Sequence, residues 1–249
     1  MKNSVIFFLL TLALIPNRMN AASTFPVETL TTESGKAINI TLFKHASLAI
    51  KYDGTEIYID PVTKIGNLAI DYSTMPKADF ILITHEHGDH LDASAIAELK
   101  KADTRVILNG KSEEQLGYGE SIANNESITL RPSITLESVP AYNTTPGREK
   151  FHPKGNGNGY ILDIDGTRIY IAGDTEDIPE MVKFKDIDLA FLPVNQPYTM
   201  TVDQAEKAAL AIKPGILIPY HFGATPIEEL KKRLDANNSG IDVRIRPME

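Results

Sequence analysis

The run Thr84-His85-Glu86-His87-Gly88-Asp89-His90-Leu91-Asp92 constrains this chain more than any other stretch. It continues the apolar run Phe80–Thr84, which reads as a buried central strand. In extended backbone His85 and His87 project to the same side, because side chains alternate with period two. Gly88 is expected to let the chain turn sharply, so that Asp89 and His90 face the same space from a second direction. Three imidazoles and a carboxylate crowded behind a buried strand would repel one another when charged and suffer desolvation when buried, unless a cation sits among them. Four such side chains can serve two adjacent divalent ions. Imidazole and carboxylate suit zinc, with manganese or iron as alternatives. A solitary His at a strand end would carry no such message, and Asp92 taken alone reads as a helix cap.

The chain has no cysteine, so any metal must be held by His, carboxylate or water, and no disulfide framework is possible. Its formal net charge of -8 disfavours nucleic acid as the main substrate, since a duplex or RNA partner wants a basic face. Residues 1–22 have the layout of a signal peptide: Lys2, an apolar run from Val5 to Ile15, then small residues Ala21, Ala22 and Ser23. The apolar run is too short to span a bilayer comfortably. The expectation is therefore an exported chain, periplasmic or secreted, with no stable membrane span and one domain over 23–249.

Strand-like segments open that domain: Ala37–Phe43, Ser47–Tyr52 and Glu56–Asp60, the last two joined by the hairpin signal Asp53-Gly54. A helix follows the His cluster from Asp92 to Lys101, and Arg105–Leu108 reads as a strand. In the second half Ile134–Val139, Gly159–Ile164, Arg168–Ala172, Leu189–Leu192 and Ile216–Pro219 read as strands. Capping boxes are expected at Thr201 with Gln204 and at Thr225 with Glu228, where Pro226 suits the first helical position. Two sets of strands with helices outside suggest an α/β (α+β) fold, a four-layer αββα sandwich. Periodicity alone does not separate this from other α/β layouts, and the motifs decide it.

The His-x-His-x-Asp-His pattern resembles the signature of the metallo-β-lactamase superfamily. Later segments fall in that superfamily's order over essentially the whole chain after the leader. Tyr170-Ile-Ala-Gly-Asp-Thr175 is similar to the segment whose Asp bridges two metals, here Asp174. Ile218-Pro-Tyr-His-Phe-Gly223 is similar to the last motif, whose His binds the second metal, here His221. Ile59-Asp60-Pro61 resembles the early motif whose Asp orients ligands. The opening Lys44-His45-Ala46-Ser47 is similar to the Gly-His-(Ala/Ser) strand of a small lactonase-like and phosphodiesterase-like branch, with Lys44 in place of the Gly. His45 is expected either behind the ligands or as a strand cap.

The resemblance breaks at one place. A third His for the first metal is missing from Val139-Pro-Ala-Tyr-Asn-Thr144, where Tyr142 and Asn143 stand instead. His152, in a Gly-rich loop, is the candidate replacement, with Tyr142 as its rival. The resemblance implies a metal-bridged hydroxide acting on an ester, lactone or amide of a small molecule, with Asp89 as metal ligand and orienting or proton-accepting carboxylate. Tyr142, Asn143, His152 and Tyr198 are candidate substrate contacts at the mouth. A phosphodiesterase is the second reading, and a non-catalytic metal-binding protein the third. Substrate, physiological metal and oligomeric state are not legible in the sequence.

Overall fold

Alternation along the strands sorts the side chains into layers. The computed structural model describes residues 25–249, so the expected leader lies outside the described residues. The first half supplies β1 (Val27–Thr31), β2 (Ala37–Leu42), β3 (Leu48–Tyr52), β4 (Thr55–Ile59), a small β5 (Lys64–Ile65) and β6 (Leu68–Ala69) ribbon, and β7 (Phe80–Leu82). Helix α1 (Ala93–Leu99), β8 (Arg105–Leu108), helix α2 (Gly110–Leu116) and β9 (Glu120–Ser121) follow. The sheet runs β1-β2-β3-β4-β7-β8-β9, antiparallel through β4 and parallel from there. The hairpin between β3 and β4 turns at Asp53 and Gly54, both with positive φ, as the Asp-Gly signal predicts.

The second half contributes β10 (Ser127–Arg131), β11 (Ile134–Ala141), β12 (Gly157–Ile164), β13 (Thr167–Ile171), β14 (Leu189–Pro193), helix α3 (Val202–Ile212), β15 (Ile216–Tyr220), helix α4 (Glu228–Ala236) and β16 (Asp242–Val243). Its sheet runs in sequence order from β10 to β16 and also changes from antiparallel to parallel, after β13.

The two sheets share one core. Ile38, Ile40, Leu48, Ile50, Phe80 and Leu82 of the first pack with Leu136, Leu162, Ile169, Ile171, Phe191 and Ile218 of the second. Along β7 and just beyond it Phe80 and Leu82 face this core, while Ile81 and Ile83 face Ala95, Ile96 and Leu99 of α1. That double burial is why the segment is apolar without a break. On the far side Tyr170, Ala190, Leu192 and Leu217 meet Ala205, Ala208 and Ala209 of α3 and Leu230 and Leu234 of α4. The result is four layers, helix–sheet–sheet–helix. Each fully buried Ile, Leu or Phe contributes on the order of 1.5–3 kcal/mol against solvent exposure.

Two expectations need correction. The capping box at Thr201 and Gln204 forms, but the one at Thr225 and Glu228 does not. There the backbone already turns helically at Ile227, whose amide bonds to the Thr225 carbonyl, and α4 begins without a side-chain cap. Gly88 is not needed for its backbone: its φ is not positive, and an added Cβ would meet nothing within 4 Å. Helix α2 went unanticipated, although Asn109 caps it at Ser112 N and Gly117 ends it in the left-handed region.

Candidate metal centre

The expected ligands converge where strands end. Asp60 follows β4, His85 to His90 follow β7, Asp174 follows β13 and His221 follows β15. Loops at the carboxyl ends of parallel strands are the usual place for a site in open α/β sheets. The local backbone is bent to suit: His45, Asp60 and His221 have positive φ of 59°, 43° and 46°. A non-glycine residue pays about 1–2 kcal/mol for that region, and such outliers cluster where side chains must be re-aimed. Gly173, just before Asp174, is a glycine by necessity. Its φ is +62°, and a Cβ would sit 2.7 Å from the Asn158 carbonyl oxygen.

Two lobes of ligand atoms meet at Asp174. His85, His87 and His152 form one, with ligand atoms all within 4.8 Å of one another; His45, Asp89, His90 and His221 form the other. Asp174 Oδ2 lies 3.2 Å from His152 Nε2, 3.3 Å from His221 Nε2 and 3.9 Å from His85 Nε2. Its Oδ1 lies 3.3 Å from His90 Nε2. Asp89 Oδ2 is 3.6 Å from His221 Nε2 and 3.2 Å from His45 Nε2.

Partners behind the rings fix their aim. His90 Nδ1 is 2.7 Å from Asp60 Oδ2, and Asp60 is itself held by the Thr84 amide at 2.8 Å and hydroxyl at 2.7 Å. His152 Nδ1 lies 3.1 Å from the Tyr198 carbonyl oxygen, which suits an Nδ1–H donor. His221 Nδ1 faces the Asn195 amide at 3.3 Å. With their Nδ1 atoms so engaged, the Nε2 atoms point inward. Nε2 of His90, His152 and His221 and Oδ1 of Asp174 are buried without a hydrogen-bond partner. Such orphans are costly, and here they aim at one space.

The charge balance agrees. Burial pushes His85 well below its ordinary pKa, helped by the charge of His90. Burial also lowers His87, so both stay in the neutral form that donates a lone pair. Burial pushes Asp174 up, but His221 and His90 outweigh it and keep the carboxylate ionised. Burial opposes His221's proton too, yet Asp174 and Asp89 raise this group to about 9. Neutral imidazoles beside carboxylates that stay ionised fit divalent ions, and the residues present can hold them.

A cavity of about 260 Å³ opens over the cluster, lined by His87, Asp89, Phe151, His152, Asp174, Asn195 and Tyr198. His152 thus stands beside His85 and His87. Tyr142 does not line the cavity: its hydroxyl donates to Glu180 at 2.8 Å and accepts from Lys154 at 3.1 Å. Asn143 is scaffolding, its amide donating to the carbonyls of Tyr198 and Arg148. Tyr198, half exposed, meets Phe151 edge-on at 5.1 Å on the cavity wall. Sequence reasoning missed Phe151, Asn195 and Glu86. Glu86 accepts from Asn156 Nδ2 at 2.8 and 2.9 Å, tying the His cluster to the loop that carries His152. Its place inside the His motif was the available signal.

Residues 39–221 match the beta-lactamase superfamily domain. A metal-dependent hydrolase of Pyrococcus furiosus is 34% identical over 214 residues, 78% of this chain and 91% of the relative. A protein of Parabacteroides distasonis named as a metal-dependent hydrolase, known from its crystal structure, is 56% identical with a TM-score of 0.87, covering 90% of this chain and 100% of that one. A metallo hydrolase of Ignicoccus hospitalis shares the fold, with a TM-score of 0.71 at 24% identity over 85% of this chain and 96% of that one.

Proposed function

Since the chain belongs to the beta-lactamase superfamily and is a metal-dependent hydrolase of that family, we propose that it uses two divalent ions, zinc first among them, to cleave an ester, lactone or amide of a small uncharged molecule. The observation that carries this reading is the ring of unpartnered Nε2 atoms around Asp174 on the cavity floor. His85, His87 and His152 would hold one ion, Asp89, His90 and His221 the other, with Asp174 between. Bound there, the ions supply Lewis acidity and a water acidic enough to lose its proton near neutral pH.

The protein's own part is positioning and exclusion. Asp89 lines the cavity with its side chain 43% exposed, placed to orient the attacking water and take its proton. Phe151 and Tyr198 offer an apolar wall, and the Asn195 amide a polar contact for the substrate. Among the described residues the lining contains no Lys or Arg. Of the cations around it, Arg148 pairs with Glu176 and Lys154 with Glu180, while Lys150 stacks its ammonium over the Phe151 ring, 5.1 Å from the centroid, outside the lining. A phosphodiester would want such cations for its charge, so carbon–oxygen or carbon–nitrogen cleavage is favoured.

The test is metal analysis of purified protein followed by a panel of lactones, esters, amides and phosphodiesters. Hydrolysis should require metal and should be lost in His87→Ala and Asp174→Ala. Full activity in either variant, or turnover confined to phosphodiesters, contradicts the reading. Export of the chain is part of the same proposal, resting on residues 1–22, and N-terminal sequencing from the native host tests it.

A further inference from the structure

His45 enters the centre from the turn between β2 and β3, and its two ring nitrogens face different carboxylates. Nε2 lies within hydrogen-bond distance of Asp89 Oδ2, at 3.2 Å, whereas Nδ1 is buried without a hydrogen-bond partner, its nearest carboxylate oxygen being Glu249 Oε1 at 3.5 Å. The ring lies against that of His221, centroids 3.6 Å apart, and the His221 amide donates to the His45 carbonyl at 3.1 Å.

A neutral imidazole has one N–H and one lone pair, so only one nitrogen can donate. With the proton on Nε2, the Nδ1 lone pair would face the Glu249 carboxylate. With the proton on Nδ1, the N–H lies on the side of Glu249 Oε1, 3.5 Å away, and the Nε2 lone pair faces the space shared by Asp89, His90 and His221. That second arrangement sets lone pair against carboxylate at Asp89 unless a cation lies between them. With the cation present, every group has a partner.

Glu249 is well held for such a task. Its Oε1 accepts from the Phe222 amide at 2.8 Å, next in sequence to His221. Met248 before it is fully buried in the inter-sheet core, and its carbonyl accepts from the His45 amide. Lys44 Nζ donates to the Pro247 carbonyl at 3.1 Å. These ties also hold His45 in its left-handed conformation, which an unsupported residue would leave.

We propose that His45 is a ligand of the Asp89–His90–His221 lobe and that Glu249 is the positioning residue that fixes its Nδ1–H tautomer. The proposal rests on the two-ion reading above. A carboxylate behind a metal-bound imidazole is worth about 10–100-fold in metal affinity.

The test is titration of the chelator-stripped full chain with Co²⁺, read by visible absorption and by tightly held equivalents. The absence of cysteine leaves the spectrum to nitrogen and oxygen ligands. Wild type should take two equivalents. His45→Ala should bind one of them more weakly by at least the roughly 10–100-fold expected for loss of a residue behind a ligand, with altered bands for that equivalent only. Glu249→Ala should do the same, and Glu249→Gln less, because its amide oxygen still accepts the Nδ1–H. Melting of each metal-free variant identifies any that is unfolded, and Glu249→Gln is the mildest of the set. Wild-type affinity and spectrum for both equivalents in folded His45→Ala or Glu249→Ala overturns the proposal and leaves the two-ion reading standing. A wild-type chain that takes up no second Co²⁺ brings down both.

Discussion

Asp60 Oδ2 stands 2.7 Å from His90 Nδ1, on the side of the ring opposite Asp174. Both Asp60 and His90 have no exposed surface, so this pair is decided by geometry rather than by solvent. Asp60→Ala would strand the Thr84 amide and hydroxyl as well as the His90 nitrogen. The variant should lose about 1–3 kcal/mol of stability and about 10–100-fold in affinity for one metal. Urea unfolding and metal titration measure the two losses separately, and wild-type values in both would refute the role given to Asp60.

His152 and Tyr142 are separated by a pair of variants. His152→Ala should weaken one of the two bound ions, seen as metal per chain after dialysis against a weak chelator. Tyr142→Phe removes a hydroxyl bonded to Glu180 and should leave metal content unchanged, at a cost of about 1 kcal/mol in stability. The reverse pattern would show that the tyrosine completes the site.

Metal removal should lower the melting temperature. The ligands come from both halves of the chain, so the native state binds the ions and the unfolded chain does not retain the cluster. Saturation to 100 times the dissociation constant adds about 2.7 kcal/mol, worth about 5–10 °C in a domain of this size. Differential scanning with and without chelator reads it, and equal midpoints would mean the cluster holds no ion.

Asp79 gives a pH dependence of known sign. Burial raises its pKa, but the hydrogen bonds from Lys101 and the Glu56 amide and the charges of Lys101 and Arg131 lower it more. A folded-state pKa below the unfolded value of 3.8 means stability fully present above that pH and lost as the pH falls through the folded value. Lys101 and Arg131 are each more than a third exposed, so solvent screening holds the effect to about 1 kcal/mol. Asp79→Asn should therefore be less stable than wild type at pH 6, with the gap closing below pH 3.8. A gap that persists unchanged into acid would place the effect in packing.

Much of this was legible in advance because each signal has a local cause. The apolar run before His85 reads as a buried central strand, and β7 is indeed covered by the inter-sheet core and by α1. The places of Asp60, Asp174 and His221 at strand ends followed from the resemblance. What escaped depends on contacts between distant segments. Nothing near Glu249 in sequence announces that it reaches His45, and Phe151 and Tyr198 meet only because two loops fold over one cavity. The failed cap at Thr225 is a local signal overruled by the backbone at Ile227.

The segments that meet around Asp174 are scattered along most of the chain, from His45 to His221, and both sheets must be joined before they face one another. Closing such long loops costs entropy that no early contact repays. Any ions bound at the centre are therefore expected to arrive last. On the two-ion reading they would lock a topology that hydrophobic burial has already chosen, since a half-folded chain would offer His45, His85, His87, Asp89 and His90 but neither Asp174 nor His221.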